Sequence, residues 1–394
     1  MASAFFVLYL NSNLKRRCKR TFLVRNKMKV IVNERFVNVL EEVAGFIGKS
    51  VIPIQHNVFM EAKRDNLIFR TSSFDSYVEL DAQLEEGWEV EEPGAVLLEP
   101  KKVLPFLKKV GKGKSVILEA KDRQLTLATG KSQLSIPFMD LSEFPTPPTV
   151  GAFTEITIGN NEEIKRALRV VEYAVSTSDT RPILKGIHLK VNGNELIIEA
   201  TDAHRMSRIV LPVEQLDEAE VVFYPHRKAF SLLDNWENAK IKIGKAHIVL
   251  QGEGYTIYLN TIEGNYPSLD RFTKIEGTGR ATVNVADLKS AMDGVCIASG
   301  SRNPSPIVSV SQNKVVVELK EESVSFVDEI EAETTGADIK FSINARYVSD
   351  ALAEIDSQRV DIVYSGPLAP IYLLPKDRAD KELHLILPVR IEKL

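Results

Sequence analysis

Three residues that could do acid–base chemistry lie within four positions of one another, in the stretch ATDAHRMSRI at residues 200–209. Asp202 and His204 are the residue types of a general acid–base pair or a metal site, and Arg205 could bind an anion. Such chemistry needs partners, but the other five histidines form no HxH or HExxH spacing. We therefore predict no catalytic residue, metal or cofactor, and keep hydrolysis by Asp202 and His204 as a remote alternative.

A polar turn is the structural interpretation of the same residues. The apolar run Leu196–Ile198 precedes them and indicates a strand. Asp202 could then accept hydrogen bonds from the backbone N–H groups that follow the strand. Because such a turn is compatible with many functions, the cluster has to be interpreted from the rest of the chain.

Composition and charge limit the possible classes of protein. The 394 residues are 44% hydrophobic and 26% charged, which is typical of a globular protein with two or three domains. Cys18 and Cys296 are the only cysteines, so a disulfide framework and a cysteine-rich zinc site are excluded. Residues 1–27 carry seven basic residues and no acid, which leaves −4 − 7 = −11 for the remainder. This negative net charge of residues 28–394 argues against nucleic-acid binding through overall charge. It does not argue against a local basic surface.

Residues 1–27 differ in character from the rest. Their apolar run Ala4–Leu10 is too short to span a bilayer, and it precedes the basic residues, the reverse of a secretory signal. We interpret the segment as an N-terminal extension, either unstructured or a mis-assigned start, with organelle targeting as a minor alternative. The two widely separated cysteines suit a reducing compartment such as the cytoplasm.

A strand followed by an amphipathic helix recurs through the chain. The strands near Lys29, Glu155 and Ala281 are spaced by 155 − 29 = 126 and 281 − 155 = 126 residues, and each leads through Asn or Asp, the last through Asp287, into a helical pattern. A similar junction lies midway through each unit. The pattern predicts an α+β protein of three similar domains, each with two helices packed on antiparallel sheets. The predicted domains are residues 28–150, 151–276 and 277–394.

Several motifs resemble one known family, the bacterial sliding clamps, which are the beta subunit of DNA polymerase III. The motifs are MKVIV at Met28, RPILKGI from Arg181, ATDAHRMS, EGNYPSLDRF from Glu263 and LPVRI from Leu387. The resemblance covers residues 28–394. It implies a DNA clamp fold, a homodimeric ring around duplex DNA, and a non-catalytic processivity factor in the bacterial cytoplasm. The implied partners are the replicative polymerase, the clamp loader and repair factors; a divergent clamp of a specialised or viral-type replication system is the alternative.

The resemblance also implies a hydrophobic pocket between domains 2 and 3 that captures short client peptides. In it Arg205 and Arg390 could hold backbone carbonyls or a carboxylate. Ala203 stands where the family usually has glycine, and a positive φ there would cost about 1 kcal/mol. The predicted pocket residues are Leu184, Thr201, His204, Arg205, Met206, Pro267, Arg271, Phe272, Leu387, Pro388, Val389, Arg390 and Ile391.

A ring holds DNA by topology, so it needs only a mildly basic inner surface that contacts phosphates without reading sequence. The basic residues of the predicted helices and of the loops after the first helices are the candidates. The residues expected to face DNA are Lys49, Lys101, Lys102, Lys108, Lys109, Lys165, Arg166, Arg169, Arg181, Arg227, Lys228, Lys289 and Arg346.

Ring closure requires domain 1 of one chain to meet domain 3 of the other, and in this family the first surface is basic and the second acidic. Two such contacts close a twofold ring. The alternative is that both are solvated edges, since edge strands often carry charge. The residues expected at this interface are Lys121, Arg123 and Lys131 of domain 1 with Glu321, Glu322 and Phe326 of domain 3.

Overall fold

The computed structural model describes residues 27–48, 50–149, 151–159, 162–214 and 217–390. The expectations for residues 1–26, for Lys49 and for Ile391 lie outside these ranges. The described chain divides into two units. The first contains the described residues up to Ser73 together with Val78–Pro147, and the second contains Phe74–Tyr77 and the described residues from Pro148 onward.

The first unit is built of two helices on antiparallel strands. One of its sheets has the strand order β5-β1-β7-β8-β9, and another contains β4-β3-β2-β6. Phe36 and Leu40 of α1 and Val103 and Leu107 of α2 are buried against these strands. The elements are β1 (Met28–Val32), α1 (Glu34–Ala44), β2 (Val58–Ala62), β3 (Asn66–Ser72), β4 (Ser76–Gln83), β5 (Glu89–Glu92), β6 (Gly94–Leu98), α2 (Pro100–Lys109), β7 (Val116–Lys121), β8 (Gln124–Thr129) and β9 (Ser132–Pro137).

The second unit begins with a similar order of elements, with four strands between its first two helices where the first unit has five. Its first part has a sheet β10-β15-β16-β17, and the strands β11 to β14 form a second sheet. The elements are β10 (Phe153–Gly159), α3 (Glu162–Val170), β11 (Ile187–Asn192), β12 (Glu195–Thr201), β13 (Arg205–Pro212), β14 (Ala219–Phe223), α4 (Arg227–Leu233), β15 (Ala239–Gly244), β16 (His247–Gly252) and β17 (Tyr255–Asn260).

The order then occurs a third time. A four-stranded sheet β21-β20-β19-β23 packs under α5, and the remaining strands join a larger sheet. The elements are β18 (Gly279–Asn284), α5 (Val285–Ala298), β19 (Ile307–Ser311), β20 (Lys314–Lys320), β21 (Ser325–Glu331), β22 (Glu333–Thr335), β23 (Ile339–Ser342), α6 (Ala345–Glu354), β24 (Arg359–Tyr364), β25 (Ile371–Pro375) and β26 (Glu382–Ile386).

The three repeats confirm the predicted α+β architecture, and asparagine side chains start several of the helices. Asn33, Asn284 and Asn344 each accept a hydrogen bond from a backbone N–H of the first helical turn. The cap of α5 is therefore Asn284, and the expectation that Asp287 fills this role was wrong. No helix in the described ranges combines the length and apolar character that crossing a bilayer requires.

A strand from the C-terminal end of the chain ties the last two repeats together. β26 pairs antiparallel with β13, from Arg205 opposite Ile386 to Ile209 opposite Glu382. This pairing creates a nine-stranded sheet of order β14-β11-β12-β13-β26-β25-β24-β18-β22. As a result, the ATDAHR stretch lies beside residues that follow it by about 180 positions in the sequence.

Candidate functional site

The Asp202 cluster is a hairpin turn between β12 and β13. One oxygen of the Asp202 carboxylate accepts hydrogen bonds from the N–H groups of His204 (2.8 Å) and Arg205 (2.9 Å). The Thr201 hydroxyl donates to the Arg205 carbonyl (2.6 Å) and accepts from the Ala203 N–H (3.1 Å). Ala203 has a φ of +76°, the left-handed conformation that favours glycine. The predicted polar turn is therefore confirmed.

Arg205 leaves this turn and is held by two carboxylates and two aromatic rings. Its Nε donates to Asp202 (3.0 Å) and its Nη1 donates to Asp350 of α6 (2.6 Å). The guanidinium lies over the rings of Tyr173 (5.2 Å) and Tyr347 (4.4 Å). With 11% of its side chain exposed, Arg205 fastens the hairpin to α6. These contacts occupy two of its donors, while Arg205 also lines the cleft described below; its role toward a client carbonyl or carboxylate stays a prediction.

A cleft of about 180 Å³ opens beside the hairpin, at the joint between the second and third repeats. Its apolar wall includes Met206 and Leu385, which are paired neighbours on β13 and β26. Residues of the segment that follows β17 also line it. The predicted residues that the cleft brings together are Leu184, Thr201, His204, Arg205, Met206, Pro267, Arg271, Phe272 and Leu387.

Three predicted residues do not line the cleft, because the backbone turns toward β23 after Leu387. The Leu387 N–H donates to the His204 carbonyl (2.8 Å), and the Val389 N–H donates to the Ser342 carbonyl (2.8 Å). Pro388, Val389 and Arg390 therefore continue past the cleft. Leu385 lines it instead, a residue that its alternation with Leu387 along the last strand could have indicated. The other lining residues that were missed are Arg181, Ala203, Ser268 and Leu269.

A more polar cavity of about 420 Å³ adjoins the cleft. The two share Arg181, Leu184, Ala203 and His204. The polar cavity is otherwise lined by hydroxyl-bearing residues of the segment 176–180, by Asp202 and by Tyr347. An apolar cleft with a polar extension suits an extended peptide with a few apolar side chains.

Two cations of α3 that were expected to face DNA are buried. Arg166 donates to both oxygens of Glu382 (2.5 and 3.1 Å) and to Asp356 (2.5 Å). Lys165 is 1% exposed and donates to the carbonyl of Trp236 (2.9 Å). A charge removed from water needs such partners, and neither side chain can reach DNA phosphates. The prediction was wrong for these two residues.

A chain of buried polar groups connects Arg166 with the site. His384 is fully buried and lies between Glu382 (Nε2 to Oε1, 2.9 Å) and the Tyr173 hydroxyl (2.8 Å from Nδ1). Burial by itself would raise the pKa of Glu382, but hydrogen bonds from His384 and Arg166 outweigh it and lower this pKa to about 2. Burial raises the pKa of Tyr173, whose neutral ring supports Arg205. The buried Arg166–Glu382 ion pair is therefore linked to the β12–β13 hairpin through His384 and Tyr173.

Most of the other predicted DNA-facing cations reach solvent. On α2, Lys102 pairs with Glu99 (2.8 Å), and Lys108 pairs with Glu41 of α1. Exposed ion pairs of this kind are weak, so these lysines can still contact a DNA phosphate. Those exposed are Lys101, Lys102, Lys108, Lys109, Arg181, Arg227 and Arg346, and those half-buried are Arg169, Lys228 and Lys289.

The residues expected at a dimer interface lie at or near the ends of strands. In the first unit Lys121, Arg123 and Lys131 are exposed; Lys121 ends β7, Arg123 lies in the turn to β8, and Lys131 precedes β9, the last strand of the sheet. In the second unit, the edge strand is β21; Glu322, just before it, is exposed, and Phe326 on it is half-buried. Glu321 accepts a hydrogen bond from the Ser299 hydroxyl (2.5 Å).

Sequence reasoning missed two apolar residues beside this second edge. Ile297, near the end of α5, is 85% exposed, and Val327 of β21 is 60% exposed. The ring of Phe326 lies so close to Gly294 of α5 that a Cβ there would come within 2.6 Å of it. The sequence could have indicated that Ile297 is exposed, because it lies outside the apolar stripe of Leu288, Met292 and Val295 that α5 buries.

Three repeats of a module with two helices and antiparallel sheets, with a peptide-sized cleft at the second joint, define a three-domain DNA clamp. Family models of the DNA polymerase III beta subunit match successive parts of the chain: the N-terminal domain at residues 28–148, the central domain at 159–268 and the C-terminal domain at 275–390. The chain belongs to the DNA polymerase III beta subunit family, the bacterial sliding clamps.

Relatives and solved structures agree with this assignment. The beta sliding clamp of Staphylococcus epidermidis is 29% identical over 91% of this chain and 98% of its own length. The beta sliding clamp of Streptococcus pneumoniae is 27% identical over 87% of this chain and 93% of its own length. The crystal structure of the Streptococcus pneumoniae beta chain matches with a TM-score of 0.84 at 24% identity, over 93% of this chain and 100% of its own. The crystal structure of the Streptococcus pyogenes beta subunit matches with a TM-score of 0.83 at 23% identity, over 92% of this chain and 100% of its own.

The family assignment settles the choice between an enzyme and a processivity factor. Sliding clamps keep a polymerase on DNA and have no catalysis of their own, so the hydrolase alternative for Asp202 and His204 is not supported. The carboxylate of Asp202 is also occupied by the turn and by Arg205. A specialised or viral-type clamp is not favoured either, since the similar proteins are bacterial beta clamps.

Proposed function

We propose that this sliding clamp captures the short linear motifs of its clients in the cleft between domains 2 and 3. The observation that carries the proposal is the cleft itself, which collects residues from positions 181 to 387 around one apolar wall. The proposed domains remain residues 28–150, 151–276 and 277–394. The clients would be the replicative polymerase, the clamp loader and repair factors.

The geometry of the cleft supports capture of apolar side chains. Met206 is buried in its apolar wall, whereas Phe272 is half-buried and keeps part of its ring available. Each 100 Å² of apolar surface that a peptide buries there contributes about 2.5 kcal/mol before the cost of ordering. Arg271, stacked 4.5 Å from the Phe272 ring, and the exposed His204 add polar groups at the rim.

A binding measurement with one cleft variant tests client capture. The probe is a labelled peptide that carries two leucines and a phenylalanine, and its affinity is read by fluorescence anisotropy. We expect Phe272→Ala to weaken binding about tenfold, because it removes an apolar wall. Phe74→Ala, at a ring that is 71% exposed elsewhere, is the matched control and should leave affinity unchanged. Equal binding by both variants and the native chain would refute the cleft as the site.

We further propose that two copies close head to tail into a ring. The acidic edge around Glu322, with the exposed apolar residues Ile297 and Val327, is complementary to the basic edge near β9 of a second copy. Light scattering should show a dimer, and Ile297→Lys should shift it toward monomer. A native chain that is monomeric at micromolar concentration would contradict the ring.

The exposed cations of the helices would then make sliding contacts with phosphates inside the ring. An acidic exterior would keep DNA from binding elsewhere, so that retention depends on closure and not on affinity. After loading, we expect the protein to stay on circular DNA and to slide off linearised DNA. Equal retention on both would show binding by charge. The homodimer and the cytoplasmic location remain predictions.

A further inference from the structure

A second and larger groove, of about 1110 Å³, adjoins the proposed client cleft. The segment Ile262–Tyr266 lines this groove, and the segment from Pro267 onward lines the cleft. Consecutive Cα atoms are about 3.8 Å apart. The ring of Tyr266 also packs against the apolar cluster of Met206 and Leu385 beside the cleft. The linings of the two cavities are therefore consecutive along the chain at Tyr266 and Pro267, a spacing that one short peptide can span.

The groove is acidic. Asp217, Glu218 and Glu263 are exposed along it and take part in no ion pair within the described ranges, and Lys245 is the cation among its lining residues. Glu220 also lines it and is fixed by a hydrogen bond with Nε2 of His188 (2.9 Å). Closely spaced carboxylates along a groove attract cationic side chains and repel acidic ones.

One wall of the groove is the edge of a sheet. β14 is the first strand of the nine-stranded sheet, and its end is covered where the Ile262 N–H donates to the Val222 carbonyl (2.7 Å). The preceding residues Ala219–Val221 of that strand border the groove. Phe153, 46% exposed, also lines the groove. An extended chain can add to such an edge through backbone hydrogen bonds while its side chains reach both walls.

We propose that the groove binds an extended segment rich in lysine or arginine that flanks the client motif, so that clients are recognised in two parts. The apolar motif fills the cleft, and the basic flank lies along β14 among the carboxylates. This inference rests on the proposed function of the cleft. Tethering by the motif makes the second contact intramolecular, so even a weak electrostatic interaction raises the overall affinity.

Three versions of one peptide test the inference. The first is the leucine- and phenylalanine-containing core, the second adds a six-residue Gly/Ser flank, and the third adds a six-residue flank of alternating Lys and Val, placed in turn at either end. We expect the Lys/Val flank at one end to tighten binding at least fivefold at low salt, and the gain to shrink as salt is raised. The Gly/Ser flank should add nothing.

Charge reversal locates the effect. Glu218→Lys combined with Glu263→Lys should abolish the gain from the basic flank and leave the affinity of the core peptide unchanged. The matched control is Glu237→Lys combined with Asp377→Lys, two exposed acids that line neither cavity, and it should keep the gain. Equal melting temperatures show that both variants are folded.

The outcomes separate the two hypotheses. If the core peptide binds but the basic flank adds no affinity, or if the gain survives reversal at the groove, the inference is overturned and client capture stands. If the core peptide itself fails to bind, the proposed function of the cleft fails, and the two-part recognition fails with it.

Discussion

The helices α2 and α3 are both basic in sequence, but their charges have different structural roles. α2 carries four lysines, all exposed, and Lys102 and Lys108 pair only with surface glutamates. α3 buries Arg166 against Glu382, a residue 216 positions further along the chain. A row of cations on a helix therefore does not show whether the charge reaches solvent. Whether a cation is buried depends on the residues that pack around it, and these come from distant parts of the sequence.

The difference follows from what packs around each helix. α3 buries apolar residues and also Lys165 and Arg166, because β13 and the segments that follow α4 and α6 surround it. α2 buries one face and leaves its lysines in water. A surface lysine contributes little to stability, whereas Arg166, buried with four acceptor oxygens, stabilises the joint between domains as long as all its partners remain.

The largest effect that would test this comparison is the loss of Arg166. Arg166→Ala leaves Glu382 buried without its main cation, so we expect the free energy of unfolding to fall by about 3–5 kcal/mol. Urea denaturation measures this change. Arg169→Ala, on the same helix but with a side chain 40% exposed, is the matched control and should cost less than about 1 kcal/mol. Similar losses in the two variants would show that burial does not distinguish these residues.

Acid should weaken the same joint. The pKa of Glu382 is lowered from 4.5 to about 2, so the stability it contributes is complete above about pH 4.5 and is lost as the pH falls toward 2. The contribution is on the order of 3 kcal/mol. Glu382→Gln should be less stable than the native chain at neutral pH, and the difference should narrow as the pH is lowered from 5 to 2. A difference independent of pH would contradict the lowered pKa.

The lysines of α2, in contrast to Arg166, should affect DNA binding and not stability. Replacing Lys101, Lys102, Lys108 and Lys109 by Gln should change the free energy of unfolding by less than about 1 kcal/mol in total, since all four are exposed. It should reduce the salt dependence of DNA binding by a log–log slope of about one for each lysine that contacts a phosphate. Lys314→Gln and Lys320→Gln on the β20 strand form a control pair. An unchanged salt slope would remove α2 from the DNA-facing surface.

The smallest effect concerns the hairpin that supports the cleft. Ala203→Gly relieves a φ of +76° but makes the unfolded chain more flexible, so the net change should be stabilising by at most about 1 kcal/mol. Thermal unfolding measures it. Ala200→Gly, on the adjacent strand β12, is the control and should destabilise. A destabilised Ala203→Gly variant would show that the turn is not strained.

Much of the architecture could be predicted because it is written in local patterns. The alternation of strand residues and the helical period located the six α-helices of the described ranges, and asparagines marked several starts. The Asp202 turn followed from the short polar stretch between two apolar strands. For the cleft, motif resemblance placed nine lining residues together, but Leu385 was missed and Pro388 to Arg390 do not line the cleft. The backbone direction after Leu387 depends on a bond to Ser342, which no local pattern encodes.

The sequence by itself determined the threefold order of elements, the polar turn and the surplus of acid outside the first 27 residues, because these depend on residue type and on spacing along the chain. Only the tertiary structure decided which charges are buried, that Arg205 fastens a hairpin to α6, and that acidic side chains from separate segments line one groove. Those properties depend on contacts between residues that are far apart in the sequence, such as Arg166 with Glu382, 216 positions away. In such contacts the cost of removing a charge from water is set by the partner that tertiary folding brings to it.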